Sequence, residues 1–258
     1  MKGVVLAGGL GTRLQPMTRV TNKHLLPVYD RPMIYYPIQQ LVHAGVEEIL
    51  LVTGGESAGD FLRLLGDGRG FGLGRIHYTY QEGEGGIAEA LGLARNFADG
   101  DPIVVLLGDN IFQDSIAPAV DEYRRAPEGA MILLKEVDDP HRFGVVRMEG
   151  GRITEIVEKP ASPPSRLAVT GCYLYDHTVW EIVDSLEPSR RGELEITDVN
   201  NHFLARGALR HHVLPGWWTD AGTVASLYRA TRLVAEDGDN PVLRRPRPVE
   251  DGAGAVAV

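Results

Sequence analysis

Residues 3–14 are GVVLAGGLGTRL, an apolar run that leads directly into a glycine-rich turn. An apolar run of this length, bounded by turn residues, indicates a buried β-strand. The glycines allow positive φ angles and let backbone N–H groups approach phosphate oxygens closely. The Arg13 guanidinium can donate hydrogen bonds to two such oxygens at once. We interpret the segment as a strand followed by a phosphate-handling loop.

Two common glycine motifs do not fit this loop. A P-loop requires Gly-Lys followed by Ser or Thr, and this tripeptide does not occur in the chain. A dinucleotide-binding fingerprint starting at Gly9 would need glycine where the chain has Leu14, whose side chain would obstruct close helix packing. A phosphate loop of another class and a purely structural strand-to-helix turn are the two remaining interpretations.

Strand and helix patterns alternate downstream of the loop. The apolar spacing predicts strands at 2–6, 48–53, 75–81, 103–107 and 130–137, and helices at 32–44, 60–65, 86–97 and 115–125. Strands that are apolar on both faces indicate a sheet covered by helices on both sides. We therefore predict a Rossmann-like α/β fold with three layers, α/β/α, around a mostly parallel mixed sheet.

The pattern changes after Pro140. Gly150-Gly151 joins the apolar stretches 145–148 and 153–157 as a β-hairpin. Further elements are predicted at 168–175 (strand), 196–205 (helix), 209–214 (strand) and 223–236 (helix). No linker interrupts residues 1–236, which predicts a single domain, and residues 237–258 are predicted to be an irregular C-terminal tail because they show no period.

Charge and composition restrict the classes of ligand. The chain of 258 residues has a formal net charge of −9, which argues against a nucleic-acid partner or an anionic membrane surface and favours a small phosphorylated ligand in a local basic pocket. No apolar run approaches the roughly 20 residues of a membrane helix. The single Cys172 cannot form an intrachain disulfide, so we expect a reducing cytoplasmic location and a packing role for this thiol.

Carboxylates and cations stand where a phosphate site would need them. Lys23 follows the glycine loop closely enough to reach phosphates held there. Asp109 follows the predicted strand 103–107, whose carboxyl end should border the ligand crevice, and it is a natural Mg²⁺ ligand there. Asp220 offers a second carboxylate before the last helix, with helix capping as its structural alternative.

A further group of residues suits a sugar phosphate, although each of them could also be scaffold. The Glu158 carboxylate can accept hydrogen bonds from sugar hydroxyls, and Lys159 can neutralise a monophosphate. Gly144 and Gly171 allow a sugar ring to approach the backbone.

The order of these motifs resembles the sugar nucleotidyltransferases, and most closely the glucose-1-phosphate thymidylyltransferases. The resemblance runs from Met1 to about Glu236 and is carried by residues 6–14, 23–27, 30–37, 108–110, 142–146, 158–160, 192–198 and 218–223. It implies a nucleotide-binding part at about 1–138 and a sugar-phosphate-binding part at about 139–236, which includes the β-hairpin as a small sugar-binding insertion.

The resemblance also implies a role for each matching residue. Arg13 would hold the leaving pyrophosphate, Lys23 would contact the phosphate under attack, and Asp109 with Asp220 would bind Mg²⁺. The nucleotide would contact Leu6, Gly8, Gly9, Gly11, Thr12, Arg13, Gln81, Gly86 and Asp109. The sugar phosphate would contact Gly108, Asn110, Gly144, Glu158, Lys159, Val169, Gly171, Tyr173 and Trp218.

The implied reaction joins an NTP, expected to be dTTP, to a hexose 1-phosphate, expected to be glucose 1-phosphate, with release of pyrophosphate. A phosphate monoester dianion is already a competent nucleophile, so the reaction needs positioning and charge compensation but no general base. We further expect a homo-oligomer without nucleic-acid or membrane partners. A metal-dependent nucleotide-sugar glycosyltransferase and a catalytically silent nucleotide-binding paralogue are the alternatives.

Two departures from the family pattern limit what the resemblance implies. His24 stands where the thymidylyltransferases usually have Gln, which leaves the ligand contacts at this position open. Residues after about Glu236 do not resemble the C-terminal helices of the longer members, so we expect a short form without their effector site.

Overall fold

A computed structural model describes residues 1–237 and 240–243 of the chain. Its first half contains β1 (Lys2–Ala7), β2 (Pro27–Val28), β3 (Arg31–Pro32), α1 (Tyr35–His43), β4 (Glu48–Gly54), α2 (Ala58–Leu65), β5 (Arg75–Gln81), α3 (Ile87–Gly92), α4 (Arg95–Ala98), β6 (Ile103–Leu107), β7 (Asn110–Phe112), α5 (Ala117–Arg125) and β8 (Ala130–Glu136). Its second half contains β9 (Gly144–Glu149), β10 (Arg152–Glu158), β11 (Leu167–Tyr175), α6 (Val179–Ser185), α7 (Ile196–Ala205), β12 (Leu209–Val213), β13 (Trp218–Asp220) and α8 (Val224–Glu236).

Nine of these strands form one mixed sheet. Its strand order is β5-β4-β1-β6-β11-β8-β12. The hairpin β9-β10 adds to this sheet through β9, which pairs with the start of β11 on the same edge that pairs further along with β6. Strand β1 is parallel to β4 and β6, whereas β11 is antiparallel to β6 and β8. The predicted α/β fold with a mixed central sheet and a β-hairpin insertion is confirmed.

The alternation of side chains along β1 explains the three layers. Val4 and Leu6 belong to one core cluster, which also contains buried side chains of α3, α6 and α7. Val5 and Ala7 point to the opposite face and belong to a second cluster with side chains of α1, α2 and α5. Because successive side chains of a strand point to opposite faces, an entirely apolar strand requires helices on both sides.

Cys172 lies fully buried in the second of these clusters. Burial raises the pKa of its thiol, which suits the packing role predicted from the sequence.

Two predicted helices differ from the observed ones by more than two residues or by a break in the helix. Helix α1 begins at Tyr35 rather than at 32, so Pro37 lies in the first turn. Backbone N–H groups in the first turn have no intrahelical acceptor, so the N–H that proline lacks costs the helix no hydrogen bond. The predicted helix at 86–97 is divided into α3, which ends at Gly92, and α4, which begins at Arg95. None of the helices within the described ranges has the length and apolar character that crossing a bilayer requires.

The beginning of the predicted C-terminal tail packs against the domain. The Asn240 side chain donates to the Gln113 carbonyl at 2.8 Å, and the buried Leu243 joins a small cluster with Tyr36, Ala230 and Val234. Residues 238–239 and 244–258, which make up the rest of that tail, lie outside the described residues. The anchored turn at 240–243 therefore extends the core beyond α8.

We expect Leu243→Ala to reduce the free energy of unfolding by about 2 kcal/mol, because it removes buried apolar atoms and leaves a cavity in the small cluster. Chemical denaturation followed by circular dichroism measures this difference. The control is Val20→Ala, since Val20 is almost fully exposed and should change stability by less than about 0.5 kcal/mol. An unchanged midpoint for Leu243→Ala would contradict the packing of this turn.

Candidate active site

A cleft of about 610 Å³ opens beside the carboxyl ends of β1 and β6. Every predicted site residue except one lines it: Leu6, Gly8, Gly9, Gly11, Thr12, Arg13, Lys23, Gln81, Gly86, Asp109, Asn110, Gly144, Glu158, Lys159, Val169, Gly171, Tyr173, Trp218 and Asp220. The exception is Gly108, which the sequence predicted to contact the sugar phosphate. It lies behind the cleft wall, and a Cβ at this position would come within 2.7 Å of His24 Cδ2.

The glycine loop turns sharply after β1. Gly11 has a φ of 66°, in the left-handed region that glycine adopts without strain, and it precedes a short 3-10 turn at Thr12–Leu14. The hydroxyl of Thr18 donates to the Gly11 carbonyl at 2.8 Å and stabilises the turn. Leu14 is fully buried beneath it, so the loop presents Arg13 to the cleft while its end is anchored in the core.

Two ion pairs cross the cleft. Lys23 Nζ lies 2.6 Å from Asp109 Oδ2, and Arg142 Nη2 lies 2.9 and 2.8 Å from the two carboxylate oxygens of Asp220. Burial alone would raise the pKa of the Asp109 carboxyl, but the Lys23 charge and hydrogen bonds from Lys23 and Asn110 outweigh burial and hold that pKa well below its usual range. The cleft therefore holds an ionised carboxylate at Asp109.

The two carboxylates and Arg13 converge on Gly222. The point that a Cβ of Gly222 would occupy lies 3.2 Å from Arg13 Nη2, 3.2 Å from Asp220 Oδ2 and 3.4 Å from Asp109 Oδ2. A side chain here would fill the space between the charged groups. The absence of a Cβ at Gly222 thus leaves a small cradle with oxygen ligands on two sides.

Asp220 does not cap the last helix. The N-cap of α8 is Thr223, whose side chain accepts from the backbone N–H of Ser226, while the Ser226 Oγ accepts from the backbone N–H of Thr223 to complete a capping box. The structural alternative for Asp220 is therefore wrong, and its carboxylate faces the cleft.

Asn110 connects three walls of the cleft. Its Oδ1 accepts from the backbone N–H of Gly171 at 2.9 Å and from the indole N–H of Trp218 at 2.7 Å, while its Nδ2 donates to Asp109 at 2.9 Å. A Cβ at Gly171 would lie within 2.7 Å of this amide, so only glycine fits there. The buried amide fixes the positions of β11, β13 and Asp109 relative to one another.

Glu158 and Lys159 lie at the end of the hairpin. The Glu158 carboxylate accepts from the Thr197 hydroxyl at 2.6 Å and pairs with the Lys159 ammonium at 3.2 Å. Lys159 has a φ of 41°, an uncommon backbone conformation for a residue with a side chain, and its N–H donates to the Phe143 carbonyl at 3.0 Å. Such conformations concentrate at functional sites, where the surrounding structure maintains them.

His24 is a buried neutral group in the wall of the cleft. Its Nδ1 lies 2.7 Å from Asn22 Oδ1, and its backbone N–H donates to the same oxygen at 2.9 Å. Burial, together with the Lys23 charge, lowers the pKa of the imidazole to about 3. The residue that departs from the thymidylyltransferase pattern thus packs against Gly108 and carries no charge at neutral pH.

Comparison with known proteins identifies the family. The model of the nucleotidyl transferase family matches residues 2–237. A glucose-1-phosphate thymidylyltransferase of Actinoplanes sp. is 46% identical over 238 residues, which are 91% of this chain and 78% of that protein. The chain belongs to the nucleotidyl transferase family. A glucose-1-phosphate thymidylyltransferase of Neisseria meningitidis is 45% identical over 91% of this chain and 82% of its own length.

Solved structures agree with that assignment. A Bacillus anthracis protein assigned as a glucose-1-phosphate thymidylyltransferase, in complex with sucrose, is 52% identical and superposes with a TM-score of 0.87 over 90% of this chain and 94% of its own. A UDP-glucose pyrophosphorylase complexed with UDP-glucose is 24% identical and shares the fold, with a TM-score of 0.81. This nucleotidyl transferase is therefore an enzyme that transfers a nucleotidyl group.

Several polar residues of the nucleotidyl transferase line the cleft although the sequence suggested no role for them, among them Arg142, Arg191 and Thr197. Each stands in or beside a family motif, but from sequence alone a single basic or hydroxyl residue is most often an exposed surface group. Only the fold identifies them as site residues, because their partners are distant in sequence. Arg142 pairs with Asp220, 78 residues away, and Thr197 donates to Glu158, 39 residues away.

Nucleotidyl transferases generally depend on a metal ion. Within residues 1–237 and 240–243, no three His, Cys, Asp or Glu side chains are grouped as a metal site. The Asp109 and Asp220 carboxylates around the Gly222 cradle are nevertheless hard oxygen ligands, and a hard divalent cation can complete its shell with substrate phosphates. The donor set fits such an ion.

Proposed function

We propose that the chain is a glucose-1-phosphate thymidylyltransferase, which transfers thymidylate from dTTP to glucose 1-phosphate and releases pyrophosphate. The observation that carries the proposal is the convergence of Arg13, Lys23, Asp109 and Asp220 at the end of the glycine loop. These groups come from three separate regions of the sequence, since Arg13 and Lys23 are close together and Asp109 and Asp220 are distant from them, and they suit a polyphosphate with its metal ion. The names of the relatives from Actinoplanes and Neisseria support the choice of substrates.

The proposed reaction requires two anions to meet. An oxygen of the sugar phosphate attacks the α-phosphorus in line, a new phosphorus–oxygen bond forms, and the bond to pyrophosphate breaks. Arg13 and the loop N–H groups hold the departing pyrophosphate, while Lys23 compensates charge on the α-phosphate. Mg²⁺ bound by Asp109 and Asp220 would neutralise further phosphate charge. No proton needs to be moved, because the nucleophile is a phosphate dianion.

The sugar phosphate is proposed to occupy the opposite end of the cleft. Lys159 is held at the hairpin end beside Glu158, so its ammonium can pair with a phosphate while the carboxylate accepts from sugar hydroxyls. Gly144 and Gly171 line this end of the cleft, but the Asn110 amide occupies the space that a Gly171 side chain would fill, so this glycine accommodates Asn110 rather than the sugar ring. The ion pairs of Lys23 and Arg142 hold both cations in position before substrate binds, which reduces the reorganisation required during transfer.

We expect purified protein to release pyrophosphate with dTTP and glucose 1-phosphate, to use UTP less well, and to use ATP and GTP poorly. The pyrimidine pocket beside Gln81 and Gly86 is expected to accept a thymine or uracil edge and to fit a purine badly. Steady-state kinetics over a panel of NTPs and sugar 1-phosphates, with pyrophosphate detection, measures this preference.

The same assay distinguishes the alternatives. A glycosyltransferase would consume a nucleotide sugar and release a nucleoside diphosphate, and a silent paralogue would bind nucleotide without turnover. A higher kcat/KM for ATP or GTP than for dTTP would contradict the thymidylyltransferase assignment but not the family.

Several sequence predictions stay predictions. The cytoplasmic location, the homo-oligomeric state, and the division at about residue 138 into nucleotide-binding and sugar-phosphate-binding parts are not required by the cleft geometry. Light scattering coupled to size-exclusion chromatography tests the oligomeric state.

A further inference from the structure

Gln81 lies at the end of β5 with its amide held by two acceptors. Its Nε2 donates to the Gly86 carbonyl at 3.1 Å and to Glu89 Oε1 at 3.0 Å. A primary amide nitrogen has two N–H groups, so both donors of Gln81 are used within the protein. The Oε1 atom faces Gly8 on the cleft side, 2.7 Å from the point that a Gly8 Cβ would occupy. The amide therefore offers the cleft an acceptor and no donor.

Glu89 is held in place to make this contact. It belongs to the first turn of α3, and its Oε2 lies 1.6 Å from the point that a Cβ of Gly85 would occupy, so the carboxylate fits only beside a glycine. The helix start is itself fixed, because Leu194 exchanges backbone hydrogen bonds with Gly85 and Ala88. Glu89 is not among the residues that line the cleft.

Reversal of the Gln81 amide is disfavoured by these neighbours. If the amide turned over, its Oε1 would face the Glu89 carboxylate and the Gly86 carbonyl, neither of which can donate at neutral pH. Two hydrogen bonds would be lost, and one of them is to a charged acceptor. The contribution of Glu89 is thus to determine which end of the Gln81 amide faces a bound base.

We propose that Glu89 is a positioning residue for base selection, which acts through Gln81 to select bases whose pairing edge carries an N–H at N3. This inference rests on the proposed function. Thymine and uracil carry that N–H and can donate to Gln81 Oε1. Cytosine has a bare N3 lone pair at the same place, which would face the acceptor without a hydrogen bond. A site that pairs with a donor rejects the analogue that lacks it.

The test compares dTTP with dCTP, and UTP with CTP, in the full-length enzyme and in Glu89→Gln. An amide at position 89 can present either an oxygen or an N–H, so only the Gly86 carbonyl still disfavours reversal of the Gln81 amide. We expect the ratio of kcat/KM for dTTP to that for dCTP to fall at least about tenfold, with the KM for glucose 1-phosphate unchanged. A purely structural role of Glu89 would lower both values together and leave the ratio intact.

The matched control is Glu181→Gln, which also removes a carboxylate from the first turn of a short helix but lies on the exposed side of α6. It should leave the ratio within about twofold. Glu89→Ala serves as a second variant, because it removes the acceptor without offering another and should also lower the ratio.

The outcomes separate this inference from the proposed function. If wild-type enzyme prefers dTTP to dCTP and both Glu89 variants keep that ratio, the inference is wrong and the proposed function stands. If wild-type enzyme does not discriminate between thymine and cytosine, the inference is wrong as well. If wild-type enzyme prefers UTP to dTTP and the UTP-to-CTP ratio falls in the variants, the inference holds while the thymidylyltransferase assignment fails.

Discussion

Asp109→Asn is expected to lower kcat by on the order of a hundredfold to a thousandfold without unfolding the protein. The carboxylate pairs with Lys23 at 2.6 Å and is one of two carboxylates beside the Gly222 cradle. Its negative charge therefore holds the Lys23 ammonium in position and is proposed to bind the metal ion. The neutral amide keeps the shape of the side chain and its hydrogen bonding to Asn110. Turnover at saturating Mg²⁺ and both substrates is the measurement.

Asp220→Asn should have a similar effect, since it removes the other ligand and frees Arg142. A chelator should abolish the activity of the wild-type enzyme, and added Mg²⁺ should restore it. Asp121→Asn is the control, because that carboxylate forms an exposed pair with Arg124 on α5 and lies outside the cleft. Near-normal turnover of Asp109→Asn would remove this residue from the proposed metal site.

Lys23→Ala and Lys159→Ala are expected to differ in the kinetic constant that changes. Lys23 is largely buried beside Asp109 and is proposed to act on charge that develops during transfer, so its removal should lower kcat about a hundredfold. Lys159 is half-exposed beside Glu158 and is proposed to hold the sugar phosphate, so its removal should mainly raise the KM for glucose 1-phosphate, by about tenfold.

Separate titrations of dTTP and glucose 1-phosphate measure the two effects. Lys135→Ala is the control, because this lysine donates to the carbonyls of Leu214 and Pro215 outside the cleft. Both of its kinetic constants should stay within about twofold of the wild-type values. If Lys159→Ala lowers kcat while Lys23→Ala raises only a KM, the two roles are reversed.

The elements with a strong periodic pattern could be predicted from the sequence. Strands β1 and β6 are continuous apolar runs, and their burial on both faces follows from that pattern alone. The three-residue strands β7 and β13 could not be predicted, because so short a segment shows no period. These two strands pair with each other and place Asn110 opposite Asp220, so a local pattern too weak to detect brings part of the site together.

Local sequence determined the chemical character of each site segment. The glycine loop after β1 predicted phosphate binding near Arg13, and the position of Asp109 after an apolar strand predicted a carboxylate at the sheet edge, because both depend on residues adjacent in sequence. The chemistry of Glu158, Lys159, Gly144 and Gly171 suggested a sugar phosphate, and the resemblance to sugar nucleotidyltransferases added Gln81 and the remaining residues of the sugar side. All of these except Gly108 lie at the cleft.

Tertiary structure alone decided which charges meet. Lys23 pairs with Asp109 across 86 residues of sequence, and Arg142 pairs with Asp220 across 78. The two acceptors that orient the Gln81 amide are nearer in sequence, at five and eight residues, and the turn between β5 and α3 brings Glu89 back onto the strand end. Periodicity encodes which face of an element is buried, but the distance between two side chains on different elements depends on strand order and packing. A sequence pattern therefore identified the groups of this site, and the fold determined their partners.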